Sequence, residues 1–283
     1  MTRIIVLSDP HLSPTHGFFW PNWQLACDAA GRIEAACTIV NGDLCIDGPD
    51  SDAEMEFAAR ALAALPGTVL PLPGNHDVGD EPPGQDPNQI IDEPRLARWD
   101  NAIGADRWRF QLDGWTLLGV NAQLFGSGLA REAEQNDWLD AMLTESKGDR
   151  VALVLHKPLF VESPDEALPS PASLGPTPRG ELIQRLCRAD IRLVVSGHLH
   201  AHRDRSIDGL RHLWVPSLAF SGNHGLDSDA RCGFAVLDFD GDDVNVDIIR
   251  PAGLVSHDLA AIKQHGRYRF LREMPPSPPQ IAA

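Results

Sequence analysis

The chain of 283 residues fits one large domain, or one domain with an appendage, and its 43% hydrophobic content is sufficient for a full core. Its formal net charge of −16 argues against a nucleic-acid polymer as partner, because such a partner requires a basic surface. The chain has no run near the roughly 18 apolar residues of a membrane span, and its first apolar run, at residues 4–7, is shorter than a signal-peptide core, so we expect a cytoplasmic protein without a membrane partner.

The N-terminal part of the chain predicts strands that alternate with helices. Short apolar runs at 4–7, 37–40 and 68–72 are typical of buried strands. Apolar residues at helical spacing predict helices over 22–36 and 52–65. This order of elements is typical of a parallel sheet covered by helices, as in α/β folds.

The middle of the chain changes character. Residues 78–98 contain Pro82, Pro83, Pro87 and Pro94, and they predict a long irregular loop with at most one helical turn. The elements predicted beyond this loop are strands over 108–112, 115–120 and 151–155 and a helix over 130–146. The Asp113-Gly114 pair between the first two strands is a hairpin signal.

The C-terminal part is predicted to be rich in antiparallel hairpins. A proline-rich segment at 161–180 reads as a loop, which leads to a helix over 180–189. Asp-Gly pairs at 208–209 and 240–241 predict two further hairpins. The strands expected here span 191–196, 203–207, 211–215, 233–239 and 244–249. We expect a catalytic domain over 1–250 and an extension over 251–283 that ends in a disordered proline-rich tail at 274–283.

Polar motifs follow several of the predicted strands, at the point where each strand ends. They are Asp9-Pro10-His11, Gly42-Asp43, Gly74-Asn75-His76-Asp77, His156 and Gly197-His198-Leu199-His200. Because ligands bind beyond the carboxyl ends of the strands in an open α/β sheet, we expect these motifs to converge on one rim. Their carboxylate, amide and imidazole groups suit cations such as Mn, Fe, Zn, Co or Ni.

The spacing inside the motifs supports a metal site. Alternate residues of an extended segment share a face, so Asp9 and His11 can point the same way. The two carboxylate oxygens of Asp43 can bridge two cations, and the glycines at 42 and 197, like the one at 74, permit sharp turns after each strand. Each motif alone is ordinary turn or strand-end chemistry, but the complete set in this order is not.

The order of these motifs resembles the calcineurin-like metallophosphoesterase superfamily over about residues 1–217. Within it, the pattern is most similar to bacterial class III cyclic-nucleotide phosphodiesterases and glycerophosphodiesterases. The resemblance implies an α/β fold with mixed sheets, arranged as a four-layer αββα sandwich, and two divalent cations, of which Mn²⁺, Fe²⁺ and Zn²⁺ are expected. It implies the following ligands: Asp9, His11 and His200 for the first cation, Asn75, His156 and His198 for the second, and Asp43 for both.

The resemblance also implies roles for residues beside the cations. His76 is expected to lie next to the substrate and to stabilise or protonate the leaving group, with Asp77 as the partner that orients it. Asn75 and His76 are the expected substrate contacts. The chain departs from the family at Lys157, which stands where a second histidine often follows the ligand equivalent to His156.

The expected activity is hydrolysis of a small phosphodiester, cyclic-nucleotide-like or glycerophosphodiester-like, by metal-activated hydroxide. A phosphomonoesterase, a nucleotide pyrophosphatase and a non-catalytic scaffold are the alternatives, although the complete ligand set argues against the scaffold. Arg203 and Arg205 could contact a phosphate group or could belong to an exposed strand face. The loop at 12–21 could stack on the substrate or on neighbouring loops. By analogy with relatives, a homodimer is expected.

Overall fold

The computed structural model describes residues 1–84, 87–222, 225–258 and 279. Its strands are β1 (Thr2–Leu7), β2 (Cys37–Asn41), β3 (Val69–Leu72), β4 (Trp108–Leu112), β5 (Trp115–Val120), β6 (Arg150–Leu155), β7 (Ile191–Ser196), β8 (Arg203–Ile207), β9 (Leu210–Trp214), β10 (Phe220–Ser221), β11 (Phe234–Asp240), β12 (Asp243–Ile249) and β13 (His257–Asp258). Its helices are α1 (Trp20–Ala30), α2 (Asp52–Ala63), α3 (Asn75–Val78), α4 (Glu93–Ala102), α5 (Ala130–Glu145) and α6 (Pro176–Leu186).

Two mixed sheets form the framework. The first sheet has five strands in the order β12-β11-β1-β2-β3, and the second has six in the order β4-β5-β6-β7-β9-β8. Strands β1, β2 and β3 are mutually parallel, as are β5, β6, β7 and β9, while hairpin partners and the β1–β11 pair are antiparallel. The predicted change from parallel units to antiparallel hairpins is therefore confirmed.

The side chains of β1 show how the layers are arranged. Ile4 and Val6 belong to a core that also contains residues of the second sheet, such as Leu117 and Val154. The alternate residues of β1 pack instead with α1, α2 and α4 in a second core. Because both faces of each sheet are covered, central strands such as β1, β2 and β6 are apolar along most of their length.

A third core covers the outer face of the second sheet. Leu139 of α5 and Leu182 of α6 pack there against strand residues such as Leu118 and Leu153. The order of layers is therefore helices, first sheet, second sheet, helices. This is the predicted α/β fold with mixed sheets in a four-layer αββα sandwich.

The prolines that predicted loops in two places instead begin helices. The prediction of a loop with at most one helical turn over 78–98 is wrong at its end, because α4 begins inside it. The Asp92 side chain caps this helix by accepting the Arg95 backbone N–H at 2.9 Å, and Pro94 lies in the first turn. The first N–H groups of a helix lack intrahelical partners, so a proline there costs no hydrogen bond. Helix α6 begins at Pro176 for the same reason and ends before the predicted 189.

The C-terminal hairpin returns to the beginning of the chain, which the sequence did not predict. Strand β11 pairs antiparallel with β1, and the segment beyond β12 contacts helix α1. The Asn22 side chain donates to the Val255 carbonyl at 2.7 Å and accepts the Val255 N–H at 2.9 Å. The predicted tail at 274–283 lies outside the described residues, apart from residue 279.

No helix in the described ranges combines the length and the apolar character that crossing a membrane requires. The cytoplasmic location, the homodimer and the absence of a nucleic-acid partner stay predictions.

Candidate metal centre

The predicted motifs converge where strands of the two sheets end. Asp9 and His11 follow β1, Asp43 follows β2, and His156 follows β6. His11 and His156 are fully buried, as is Asp9, and Asp43 is 1% exposed. Asn75 begins α3 after β3, while His198 and His200 follow β7. The structure therefore brings the predicted ligands of both cations to one rim.

The first group of candidate ligand atoms belongs to Asp9, His11, Asp43 and His200. These atoms all lie within 4.8 Å of one another. His200 Nε2 is 3.2 Å from Asp9 Oδ1, and His11 Nε2 is 3.7 Å from Asp43 Oδ2. The Nε2 atoms of the two histidines are themselves only 3.2 Å apart, so both rings face the same point.

The second group consists of Asp43, His156 and His198, whose candidate ligand atoms also lie within 4.8 Å of one another. His156 Nε2 is 3.3 Å from Asp43 Oδ1. Asp43 thus belongs to both groups and turns one oxygen toward each: Oδ1 toward His156 and Oδ2 toward His11. This arrangement suits a carboxylate shared by two cations.

Backbone carbonyl groups fix which nitrogen of each histidine faces the centre. His156 donates through Nδ1 to the Asn41 carbonyl at 2.8 Å, and His200 donates through Nδ1 to the Phe220 carbonyl at 3.0 Å. Both rings therefore present Nε2. His198 is reversed, because its Nε2 donates to the Pro171 carbonyl at 2.8 Å and Nδ1 faces inward.

The donor set fits a divalent cation. His156 Nε2 and His198 Nδ1 are buried and make no hydrogen bond within the described part of the chain. A buried polar atom without a hydrogen bond requires an explanation, and an imidazole nitrogen that faces a carboxylate can bind a metal ion once it is deprotonated. Imidazole and carboxylate ligands suit Zn, Fe and Mn.

The protonation states of the group are set by burial and by neighbouring charges. Burial lowers the pKa of His11 to about 3, so this ring is neutral and can act as a ligand. Burial would raise the pKa of Asp43, but the nearby His156 and His76 rings hold it well below its usual range. Burial opposes a charge on His156, yet Asp43 and Asp9 outweigh it and raise the pKa of His156 to about 9. A cation at His156 would therefore displace a proton.

The backbone of the motifs is strained. Asp9, His11, Asp43, His198 and His200 all have φ between 46° and 67°, in the left-handed region that non-glycine residues rarely occupy. Such conformations cluster at functional sites, where the surrounding structure enforces them. The prediction that the Asp-x-His motif shares a face because it is extended is therefore wrong in its reason, although both side chains do reach the same group.

Two motif glycines serve different purposes. Gly42 has φ of 78°, as the predicted turn requires, and a Cβ there would overlap the His156 ring. Gly197 has no positive φ, but a Cβ there would overlap the side chains of Ser8 and Asp9. The predicted need for a sharp turn thus holds at Gly42, whereas Gly197 permits close approach between the ends of β1 and β7.

His76 lies beside the centre, as expected, but Asp77 does not act as predicted. His76 Nε2 is 4.0 Å from Asp43 Oδ2, and its Nδ1 donates to the Ile46 carbonyl at 2.9 Å. The Asp77 carboxylate instead accepts the backbone N–H groups of Leu44, Cys45 and Gly74, at 3.1, 2.9 and 2.8 Å. Asp77 therefore holds the loops after β2 and β3 together, and the Ile46 carbonyl orients His76.

Two arginines that the sequence suggested as possible phosphate contacts form ion pairs with Glu162. Arg203 forms hydrogen bonds with both carboxylate oxygens of Glu162, at 2.8 and 2.9 Å, and Arg205 donates to the same residue at 3.0 Å. Both guanidinium groups also lie over the Trp214 ring. They anchor the loop after β6, and at 15% and 19% exposure their side chains do not form an exposed strand face.

The loop at 12–21 packs on its neighbours. His16 stacks on Phe18, and Trp20 contacts Phe57 of α2 at a centroid distance of 5.3 Å. Phe220, which sequence reasoning missed, lies against His200 and His11, at centroid distances of 4.1 and 5.1 Å. Nothing in the sequence around Phe220 marks this contact.

A four-layer αββα sandwich with an Asp/His cluster where the strands end defines a metallophosphoesterase. Residues 2–202 match the family model of calcineurin-like phosphoesterases, so the chain belongs to that family. The resemblance identified from the motifs is thereby confirmed at the level of the superfamily, and the cluster is its divalent-metal centre. The bacterial phosphodiesterase branch within the superfamily stays a prediction.

Known proteins of similar sequence carry the name serine/threonine-protein phosphatase CPPED1. The protein from Danio rerio is 31% identical over 183 residues, which cover 61% of this chain and 56% of the relative. The protein from Mus musculus is 35% identical over 138 residues, which cover 47% and 41%, respectively. The chain thus spans about half the length of the curated relatives it matches.

Solved structures share the fold at low identity. A purple acid phosphatase from yellow lupin has a TM-score of 0.63 at 13% identity, over 91% of this chain and 52% of that one. A dimetal phosphatase from Danio rerio has a TM-score of 0.59 at 16% identity, over 87% of this chain and 95% of that one. At these identities the likeness concerns the fold alone.

Proposed function

We propose that this protein hydrolyses phosphoric esters at a centre of two divalent cations. The observation that carries the proposal is the position of Asp43, which belongs to both groups of candidate ligands and turns one oxygen toward each. The proposed ligands are Asp9, His11 and His200 for one cation, Asn75, His156 and His198 for the other, and Asp43 for both.

Bound cations would supply Lewis acidity toward the phosphoryl oxygens and a water nucleophile. The chain's own residues orient the substrate and move protons around it. His76 presents Nε2 to the centre while the Ile46 carbonyl accepts from Nδ1. A protonated His76 can therefore donate from Nε2 to the departing oxygen, with Asn75 and His76 as the substrate contacts. Asp77 keeps Asn75 and His76 in place, because its carboxylate joins the loops after β2 and β3.

Phosphate monoesters are the first substrate class that we propose. The support comes from the relatives, which are named serine/threonine-protein phosphatases at up to 35% identity. The substrate would then be an alkyl phosphate such as a phosphorylated hydroxyl side chain.

Small phosphodiesters, predicted from the motifs, are the second class. Three basic side chains near the site are already engaged in ion pairs: Lys157 with Glu81, and Arg203 and Arg205 with the single carboxylate of Glu162. A diester carries less negative charge than a monoester dianion, so it requires less neutralisation. This observation favours a diester such as a cyclic nucleotide or a glycerophosphodiester.

A comparison of ester substrates tests both classes. We would measure kcat/KM of Mn-loaded protein on p-nitrophenyl phosphate, bis(p-nitrophenyl) phosphate and a phosphoserine peptide, and determine bound metal in parallel. An Asp43→Asn variant purified identically controls for contaminating phosphatases. Monoester turnover at least about tenfold above diester turnover supports the first class, and the reverse supports the second. Metal-loaded protein that hydrolyses none of the three esters contradicts both and favours a non-catalytic scaffold.

A further inference from the structure

A cavity of about 260 Å³ lies next to the second group of candidate ligands. Its walls include prolines from two loops, such as Pro82, Pro169 and Pro171, and Pro176 from the first turn of α6. Rigid apolar walls of this kind form a shaped pocket that needs little ordering when a ligand enters. This cavity lies outside the set of residues that the motifs indicated.

Two contacts tie the cavity to the metal centre. Lys157, which lines it, directly follows the candidate ligand His156 in the chain. Pro171, which also lines the cavity, accepts the hydrogen bond from His198 at 2.8 Å. A phosphoryl group at the centre would therefore have this cavity beside it, on the side of His156 and His198.

The charged groups in the described wall of the cavity form a buried ion pair. Lys157 is 1% exposed and Glu81 is 7% exposed. Lys157 Nζ donates to both carboxylate oxygens of Glu81, each at 2.7 Å. An ammonium group carries three N–H donors. Within the described residues two of the three are used, so one donor is left for a ligand.

The charges around the cavity indicate what it can accept. Among its described lining residues, the single positive charge of Lys157 is balanced by Glu81, and Asp80 Oδ1 lies 3.8 Å from the ammonium nitrogen. An anionic ligand group would therefore meet no uncompensated positive charge, and a cationic ammonium group has no lone pair with which to accept the remaining N–H of Lys157. An uncharged group with an oxygen acceptor satisfies the remaining N–H and leaves the ion pair intact.

We propose that this cavity is the subsite for the organic part of the ester, and that Lys157 donates a hydrogen bond there to a neutral oxygen acceptor such as an amide carbonyl or a hydroxyl group. The inference rests on the proposed function, because it assigns the alcohol side of the same reaction. It makes the Lys157–Glu81 pair a determinant of substrate selectivity, at the position where the chain departs from its family.

Three alkyl phosphates with comparable leaving groups test the subsite on Mn-loaded protein. N-acetylphosphoserine methylamide carries neutral carbonyl acceptors, methyl phosphate carries none, and phosphocholine carries a cation. The test variant combines Lys157→Met with Glu81→Gln, so that both charges of this hydrogen-bonded pair are removed together. The matched control combines Arg3→Met with Asp238→Asn, a bidentate ion pair at the opposite end of β1.

In the wild-type protein, kcat/KM should be highest for the serine derivative and lower for methyl phosphate and phosphocholine, because neither places a neutral oxygen acceptor in the cavity. The ratio of kcat/KM between the serine derivative and methyl phosphate should fall about tenfold in the test variant and stay within about twofold in the control, as expected for a lost hydrogen bond to a charged donor. An unchanged ratio in the test variant would overturn the subsite.

Two further measurements keep the outcome decisive. Thr177→Tyr narrows the cavity from an exposed wall residue, and it should lower the same ratio even if the double variant fails to fold. Binding of N-acetylserine methylamide, followed by saturation-transfer NMR, reports on the subsite without turnover. If the wild-type protein hydrolyses no ester but binds N-acetylserine methylamide, and the variants do not bind it, the subsite is supported and the proposed function fails. Turnover without this binding refutes the subsite alone.

Discussion

His198 donates its Nε2 hydrogen to the carbonyl oxygen of Pro171 at 2.8 Å, and this bond turns its Nδ1 toward the candidate metal centre. His156 and His200 use the opposite nitrogen, because their carbonyl partners lie on the Nδ1 side. Pro171 belongs to the proline-rich loop that walls the cavity beside Lys157. One hydrogen bond therefore links the loop to a candidate ligand, and the loop's conformation and the orientation of that ring depend on each other.

Asp43→Asn should weaken binding of both cations and reduce turnover by at least about 100-fold, because the amide offers one weak oxygen ligand where the carboxylate offers two. Metal content by plasma mass spectrometry and kcat/KM on the preferred ester would measure this. Asp240→Asn, an exposed residue of the β11–β12 hairpin, is the matched control. Two cations bound as in wild type by the Asp43→Asn protein would contradict the shared position of Asp43.

His76→Gln should leave metal content nearly intact and lower turnover by about 10²- to 10⁴-fold, since it removes a proton donor. The loss should grow as the leaving group becomes a poorer one. A series of aryl phosphates with different leaving-group pKa values would measure this dependence. His212→Gln, a buried histidine of β9 against Phe160, is the control. A uniform loss across the series, together with lost metal, would show that His76 acts on the cations.

Asp77→Ala should lower the free energy of unfolding by about 3 kcal/mol, because it leaves three buried backbone N–H groups without their acceptor. Urea denaturation of the metal-free protein would measure this effect separately from catalysis. Asp77→Asn, which retains one acceptor oxygen, should cost less. Wild-type stability of Asp77→Ala combined with lost turnover would restore the original expectation that Asp77 acts on His76.

Glu54 should make stability depend on pH. Its carboxyl group is buried in α2, where Ser13 Oγ donates to it at 2.6 Å, and burial raises its pKa from 4.5 to about 7. The folded protein therefore holds this proton more tightly than the unfolded chain. The resulting stability is fully present below about pH 4.5 and is lost as the pH rises through about 7, by an amount on the order of 3 kcal/mol.

Glu54→Gln removes this titration. Relative to wild type, the variant should be about equally stable near pH 5 and more stable near pH 8, because only wild type must then bury a charge. Urea denaturation at the two pH values measures the difference. The same difference between variant and wild type at both pH values would show that Glu54 keeps one protonation state throughout.

Local sequence was sufficient for most elements and for the candidate ligands. The buried strands are apolar along their length and end at polar motifs, so both the strand and the residue beyond it are visible in one short segment. The hairpins at 113–114, 208–209 and 240–241 followed from Asp-Gly pairs. The errors at α4 and α6 arose because proline ends a helix in its interior but begins one in its first turn.

By itself, then, the sequence determined the fold class and the set of polar residues at the strand ends. Only the tertiary structure decided which Asp43 oxygen faces which histidine, which nitrogen each ring presents and what Asp77 holds. Those details depend on backbone carbonyl and N–H groups, which carry no residue identity, and on partners far away in the chain. Asn41 and His156, for example, are 115 residues apart and meet because the two sheets pack face to face. The Lys157–Glu81 pair likewise exists only after the loops of both sheets have met at one rim.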